Sequence, residues 1–139
     1  TASFRVYADS LVALAEEARL DSGALKTRLS TGGEENQVVF NAAIHHREVP
    51  ELLASSAADV AMIYYHLGLR YSRIFPDVFD FVPLGGTREE PEPGPAHQTT
   101  RYHIGLIGDG GGWGQGFADF MSGEESQGIC RNYGLRSPV

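Results

Sequence analysis

The sequence predicts an α/β fold in which helices flank a mostly parallel central sheet, giving a three-layer lobe. Short apolar segments rich in β-branched and aromatic residues alternate along the chain with segments whose apolar residues recur at helical spacing. The 139 residues are 42% hydrophobic and 21% charged. This composition is typical of one globular domain, and it excludes a disordered or collagen-like chain.

The N-terminal part is predicted to contain two helices and one short strand. Apolar residues recur at helical spacing through residues 6–20, which predicts an amphipathic helix. Residues 25–36 are polar and include two adjacent glycines, so we expect a loop or a frayed turn there. Residues 38–40 predict a short strand. A proline near the start of residues 49–56 suits the first turn of a short helix.

Three further segments are predicted to be strands. Residues 59–65 form a nearly continuous apolar run, as expected of a central strand that is buried on both faces. Residues 78–82 are apolar and end at a proline, and residues 102–107 return as another apolar segment. Together these segments supply the predicted sheet.

Two irregular segments and a C-terminal helical region complete the prediction. Residues 85–100 are rich in proline, glycine and glutamate, which predicts an exposed loop. Residues 108–116 predict a glycine-rich turn, and they lack the Gly-Lys-Ser/Thr ending of a phosphate-binding P-loop. Residues 117–133 predict one helix or two, with Gly134 at the residue that follows the C-terminal cap.

Charge and cysteine content exclude several classes of partner and cofactor. Eleven Lys and Arg residues against 18 Asp and Glu give a formal net charge of −7. We therefore expect no nucleic-acid partner. The single cysteine, Cys130, cannot form an intrachain disulfide. No catalytic arrangement is recognisable in the sequence, so we predict a protein that is not an enzyme and needs no cofactor.

The densest polar cluster precedes the second predicted helix. Unpaired main-chain N–H groups at a helix N-terminus attract anions, and His46, Arg47, Glu48 and Val49 surround this point. A solvated loop with a capped helix is the simpler alternative. A metal site formed by His45, His46 and Glu48 is a weaker one, because adjacent histidines on an extended segment point to opposite sides.

Tyr64 is a second candidate ligand contact. It ends the predicted central strand, and ligands of open α/β sheets bind outside the carboxyl ends of strands. Its hydroxyl would there donate a hydrogen bond to an oxyanion. In the alternative interpretation Tyr64 and Tyr65 complete the core and keep their hydroxyls in water.

Four segments in order resemble the molybdate/tungstate-type periplasmic substrate-binding proteins of ABC importers. They read HHREVPELLASSAADVAMIYY, FDFVPL, TRYHIGLI and FADFMSGEESQGICRNYGLR. One departure is Ser56, which stands where the family has a glycine. The resemblance implies a type II periplasmic-binding fold whose two lobes close on a tetrahedral oxyanion. Residues 1–107 would be the second lobe, and residues 108–139 would return to a first lobe outside this chain.

The resemblance also implies a site, partners and a location. His46, Arg47, Glu48, Val49 and Tyr64 would contact the ligand, with Glu48 standing where tungstate-type members have a ligand carboxylate. An ABC transporter permease would be the protein partner, in the periplasm or outside the cell, with the signal peptide lying outside this chain. The apolar C-terminal helix is expected to fold back or to self-associate. The alternative function is a ligand-sensing effector domain of a regulator.

Overall fold

The regular secondary structure of the described residues is helical. The computed structural model describes residues 2–32, 38, 45–94 and 99–136. Within these ranges it contains six helices: α1 (Ala2–Glu17), α2 (Ser22–Thr31), α3 (His45–Ala54), α4 (Tyr65–Ile74), α5 (Gly111–Ser122) and α6 (Glu124–Asn132). Gly86 and Pro91 form an antiparallel bridge in the loop between α4 and α5. None of the described helices is long and apolar enough to span a membrane.

The predicted α/β fold with a mostly parallel central sheet is wrong for this structure. The segments 59–64, 78–82 and 102–107 pair with no neighbouring strand among the described residues. Val60, Val82 and Ile107 are 85%, 83% and 97% exposed, although a central strand would be covered on both faces. A short apolar run therefore gave a misleading signal, because periodicity alone cannot distinguish a buried strand from other apolar segments. The type II periplasmic-binding fold contains such a sheet, so this part of the prediction is wrong as well.

The predicted helices are largely confirmed. The first begins earlier than expected, at Ala2, and the short helix predicted at residues 49–56 begins at His45. The C-terminal region forms two helices, α5 and α6, which pack against each other. α5 begins within the predicted glycine-rich turn, at Gly111. Within residues 85–100, the described residues form an irregular loop apart from the Gly86–Pro91 bridge, as predicted.

α2 replaces most of the loop predicted at residues 25–36. The Asp21 carboxylate accepts a hydrogen bond from the Ala24 main-chain N–H at 2.9 Å, so Asp21 caps the helix N-terminus. The Thr27 hydroxyl donates to the Gly23 carbonyl one turn earlier. α2 then packs against α1. In the sequence, Asp21 was the residue that indicated a helix here, but the polar composition of residues 25–36 favoured a loop.

α4 is covered on one side by the segment that follows it. Gly68 has no side chain, and a Cβ built there would lie only 3.3 Å from the Phe81 ring, so the ring packs directly on the helix backbone. Tyr65 meets the same ring edge-on, with 5.5 Å between ring centroids. Leu67 and Leu69, in the same turn of the helix, are buried. This packing fixes the position of the 75–81 segment on α4.

The C-terminal end of α6 closes against the first turn of α4. The Leu135 N–H donates to the Cys130 carbonyl, and the Gly134 N–H donates to the Arg131 carbonyl. This is a Schellman motif, and it confirms Gly134 at the predicted position, with φ at +81°. A Cβ on Gly134 would lie 2.9 Å from the Tyr65 ring, so glycine also permits the close approach.

Much apolar surface stays exposed in the described part of the chain. Ala15, Leu67 and Leu69 are its buried hydrophobic residues, whereas Trp113 is 90% exposed. Large contiguous apolar patches often mark binding surfaces, whereas single exposed side chains are normal on a protein surface. The division at residue 107 into two parts of a larger binding protein stays a prediction.

Ser56 offers a direct test of the backbone at the end of α3. Its φ is +59°, and the Ala57 N–H donates to the Leu52 carbonyl, so the residue occupies the left-handed position of a helix C-terminus. A left-handed conformation costs a residue with a side chain about 1 kcal/mol relative to glycine. We expect Ser56→Gly to raise the free energy of unfolding by about that amount, measured by urea denaturation.

Ser55→Gly is the matched control for this substitution. The Ser55 hydroxyl donates to the Glu51 carbonyl at 2.7 Å, and its φ is not positive. Glycine there removes a hydrogen bond and adds chain flexibility, so Ser55→Gly is expected to lower the free energy of unfolding. Equal losses for both variants would show that Ser56 is not held in the left-handed conformation.

Candidate functional site

Tyr64 lies where an extended segment meets a helix. It is the N-cap residue of α4, with φ −63° and ψ 143°, and its side chain makes no capping hydrogen bond. The prediction placed Tyr64 at the carboxyl end of a strand. The main chain at Tyr64 is indeed extended, but it leads into a helix.

Two aromatic side chains pack against Tyr64. The Tyr7 ring, on α1, meets it edge-on with 5.3 Å between centroids. The His66 ring stacks on it with 5.7 Å between centroids and 14° between planes. These contacts bring the N-terminal helix to the start of α4, although the two are far apart in sequence.

The Tyr7 hydroxyl is buried and has no hydrogen-bond partner among the described residues. Burial raises the pKa of Tyr7 from its ordinary 10.0 to about 12, and the nearby hydroxyls of Tyr64 and Tyr102 add to the rise when they are ionised. The main chain of Tyr64 lowers the pKa of Tyr7, but it forms no hydrogen bond of normal geometry with the Tyr7 hydroxyl. The Tyr7 hydroxyl therefore keeps its proton at neutral pH and can donate it to an acceptor.

Tyr102 supplies a third hydroxyl to this group. It lies at the start of the exposed segment 102–107, and its side chain is 67% exposed. When it is ionised, its charge adds to the rise in the pKa of Tyr7. We call Tyr7, Tyr64 and Tyr102 the tyrosine cluster. Within this group the Tyr7 hydroxyl is buried, whereas the Tyr102 side chain is exposed.

The other predicted ligand contacts lie on α3. His46, Arg47, Glu48 and Val49 all belong to this helix, and Glu48 is in its first turn. The side chains of His46 and Arg47 lie outside the described residues. Glu48 and Val49 are half-buried. The helix begins at His45, so His46 and Arg47 belong to the first turn, whose N–H groups have no partners within the helix.

The structure thus separates the predicted contacts by element. Tyr64 joins α1 and α4, whereas the other four belong to α3. Sequence reasoning did not find Tyr7, because no motif precedes it and its pattern is that of an ordinary helix residue. The unpaired hydroxyl is visible only after the fold brings Tyr7 to Tyr64.

The described residues contain no group of three or more His, Cys, Asp or Glu side chains that could hold a metal ion. Two members of the alternative metal set, His45 and His46, have side chains outside the described residues. Glu48, the third, is half-buried. The metal alternative therefore has no support from the described side chains.

The chain matches no protein-family model, and no curated protein or solved structure shows significant similarity to it. The family assignment made from the four sequence segments therefore stays a prediction. The geometry of the tyrosine cluster is the independent observation on which a function can be argued.

The unpaired hydroxyl predicts an unusual response to substitution. A buried hydroxyl without a partner contributes no hydrogen bond to the fold, so Tyr7→Phe should leave the free energy of unfolding unchanged or raise it. Thermal denaturation at pH 7 measures this effect. Tyr133→Phe, at a side chain that is 64% exposed, controls for loss of a phenol. A clear loss of stability in Tyr7→Phe alone would show that the hydroxyl has a partner.

The raised pKa of Tyr7 predicts the alkaline behaviour of the same variant. Between about pH 10 and 12 the unfolded chain releases the Tyr7 proton while the folded chain retains it, so the unfolded state binds fewer protons. Stability that is present below pH 10 is then lost as the pH rises through this window. Tyr7→Phe should lose less stability than the native chain over these pH values, as measured by urea denaturation. Identical pH profiles would contradict the raised pKa.

Proposed function

We propose that the chain is part of the solute-binding component of an ABC importer and that it binds a small tetrahedral oxyanion of the molybdate or tungstate type. The resemblance of the four sequence segments supports the class of protein. The buried Tyr7 hydroxyl beside Tyr64 supports the ligand, because a protonated donor without a partner suits an anionic oxygen.

Short-range contacts, and not the overall charge of the chain, would bind the anion. The chain carries a net charge of −7, so its overall field repels an anion, and binding must come from short-range hydrogen bonds. Tyr7 keeps its proton because its pKa is about 12, and Tyr64 adds a second hydroxyl. The first turn of α3 supplies main-chain N–H donors of the kind that bind anions. Closing around the ligand would exclude water and present a surface to the permease, in the periplasm or outside the cell.

The test is isothermal titration with molybdate, tungstate, sulfate and phosphate. We expect one oxyanion to bind, and Tyr64→Phe and Tyr7→Phe each to weaken binding about tenfold or more, because each removes a hydrogen bond to a charged group. Arg47→Ala tests the contact that the resemblance implies on α3. Tyr133→Phe is the control and should leave the affinity unchanged.

Two titration results would contradict anion binding at this site. Folded protein that gives no heat with any of the four oxyanions would exclude the function. Binding that Tyr64→Phe and Tyr7→Phe leave unchanged would exclude the tyrosine cluster as its site.

Self-association through the C-terminal helices is the second part of this proposal. Phe117 and Phe120 on α5 are 55% and 44% exposed, and Ile129 on α6 is 48% exposed. Burying such side chains against a second copy would remove them from water. Light scattering should show a dimer that Phe117→Glu dissociates and Gln115→Glu does not. A monomer at all concentrations would contradict this part and leave anion binding untouched.

A further inference from the structure

Asp109 and Gly110 form the one Asp–Gly pair of the chain. Seven aspartates occur in the sequence, and the other six are followed by serine, valine or phenylalanine. No asparagine is followed by glycine either. A glycine nitrogen has no side chain beside it, so it can approach the carboxyl carbon of a preceding aspartate with the least hindrance. This pair is therefore where a carboxyl group of the chain reacts most easily with its own main chain.

The structure leaves this pair open to reaction. Asp109 is exposed and lies in the turn that precedes α5. Its Oδ1 accepts a hydrogen bond from the Gly111 N–H at 2.9 Å, so the carboxyl group is folded over the Asp109–Gly110 peptide. The Gly110 N–H donates to the Ile107 carbonyl at 3.2 Å, at the long end of the range for such bonds. The Gly110 nitrogen is thus adjacent to the carboxyl group and is held by a weak hydrogen bond.

The same turn sets the position of the Leu106 side chain. Gly110 has a φ of +77°, a conformation that favours glycine. A Cβ on Gly110 would lie 2.9 Å from Leu106 Cδ2, and a Cβ on Gly114 would lie 3.2 Å from the same atom. Leu106 therefore packs directly on the main chain at the start of α5. This contact depends on the length of main chain between Leu106 and Gly110, and an additional main-chain atom there would disturb it.

We infer that Asp109 is a modification site, at which aspartate isomerises to isoaspartate without an enzyme. The Gly110 nitrogen attacks Cγ of the protonated Asp109 carboxyl. The N–Cγ bond forms, the Cγ–OH bond breaks, and the hydroxyl leaves with the amide proton as water, which gives a succinimide ring. Water then opens the ring. Cleavage between the Gly110 nitrogen and the Asp109 main-chain carbonyl carbon gives isoaspartate, and cleavage of the N–Cγ bond restores aspartate. No atom is oxidised or reduced, so water is the sole other reactant.

Isomerisation loosens the start of α5. The main chain of isoaspartate runs through Cβ and Cγ, so it is one atom longer than that of aspartate, and the former main-chain carbonyl becomes a free carboxylate. The longer chain disturbs the contact of Leu106 with Gly110 and Gly114. Trp113 is the single tryptophan of the chain and lies in the first turn of α5, so its fluorescence reports this change. The inference is independent of the proposed oxyanion function.

The test is incubation of the full chain at pH 6 and pH 8, followed by peptide mapping with mass spectrometry. We expect succinimide and isoaspartate to accumulate at Asp109, and to do so faster at pH 6, because the protonated carboxyl is the form that releases water. Asp21 is the internal control: the Ala24 N–H donates to its carboxylate in a similar way, but Ser22 follows it, so it should remain aspartate. An exposed turn needs little opening, so the rate should lie within about threefold of the rate in concentrated urea.

Matched substitutions connect the chemistry to the start of α5. Asp109→Glu keeps the charge but would have to close a six-membered ring, which is slower, so we expect the isomerised product to be lost. Asp119→Glu makes the same change within α5 and should leave the rate at Asp109 unchanged. The fluorescence anisotropy of Trp113 should fall as isoaspartate accumulates in the native sequence, because the first turn gains mobility. It should stay constant in Asp109→Glu.

Three results would overturn the inference. The first is that Asp109 remains aspartate or reacts no faster than Asp21. The second is a rate in native buffer far below the rate in urea, which would show that the fold protects the pair. The third is a constant Trp113 anisotropy while isoaspartate accumulates, which would show that the start of α5 does not depend on the length of this turn.

Discussion

The packing of aromatic side chains on α4 positions the segments that surround this helix. Because Gly68 has no Cβ, the Phe81 ring can rest on the helix, and Tyr65 closes against its edge. This contact holds the 75–81 segment in place and brings Arg88 over the ring. At the other end of the helix, Arg73 holds the end of α6 through a main-chain carbonyl. A cleft lined by α4, the 76–89 segment and the end of α6 remains between these attachments.

The same helix start positions the tyrosine cluster. Tyr64 immediately precedes α4, and its neighbour Tyr65 faces the Phe81 ring while Tyr64 packs with Tyr7. Adjacent residues thus make contacts with two different parts of the chain. The Tyr7 hydroxyl is removed from water without gaining a hydrogen-bond partner among the described residues, which costs free energy. Buried polar groups without a hydrogen-bond partner are rare in native proteins, so this hydroxyl is the feature on which the proposed function is argued.

Local signals predicted the helices, and long-range pairing could not be predicted. Apolar spacing located α1 and α3, and Gly134 marked the end of α6. The run at residues 59–65 looked like a strand because strand character in a short apolar segment depends on partners elsewhere in the chain. Tyr64 was found from its position next to that run. Tyr7 was not, because its contact with Tyr64 joins segments that are distant in sequence.

The central claim is that the 75–81 segment packs on α4 and is not a strand of a sheet. Nuclear Overhauser effects measured in solution on isotope-labelled full chain test it most directly. The account predicts contacts between the Phe81 ring and the Gly68 α-protons, together with helical amide contacts through Tyr65–Ile74. Cross-strand contacts linking residues 59–65 with residues 78–82 or 102–107, without the Phe81 to Gly68 contact, would contradict it and restore the α/β sheet.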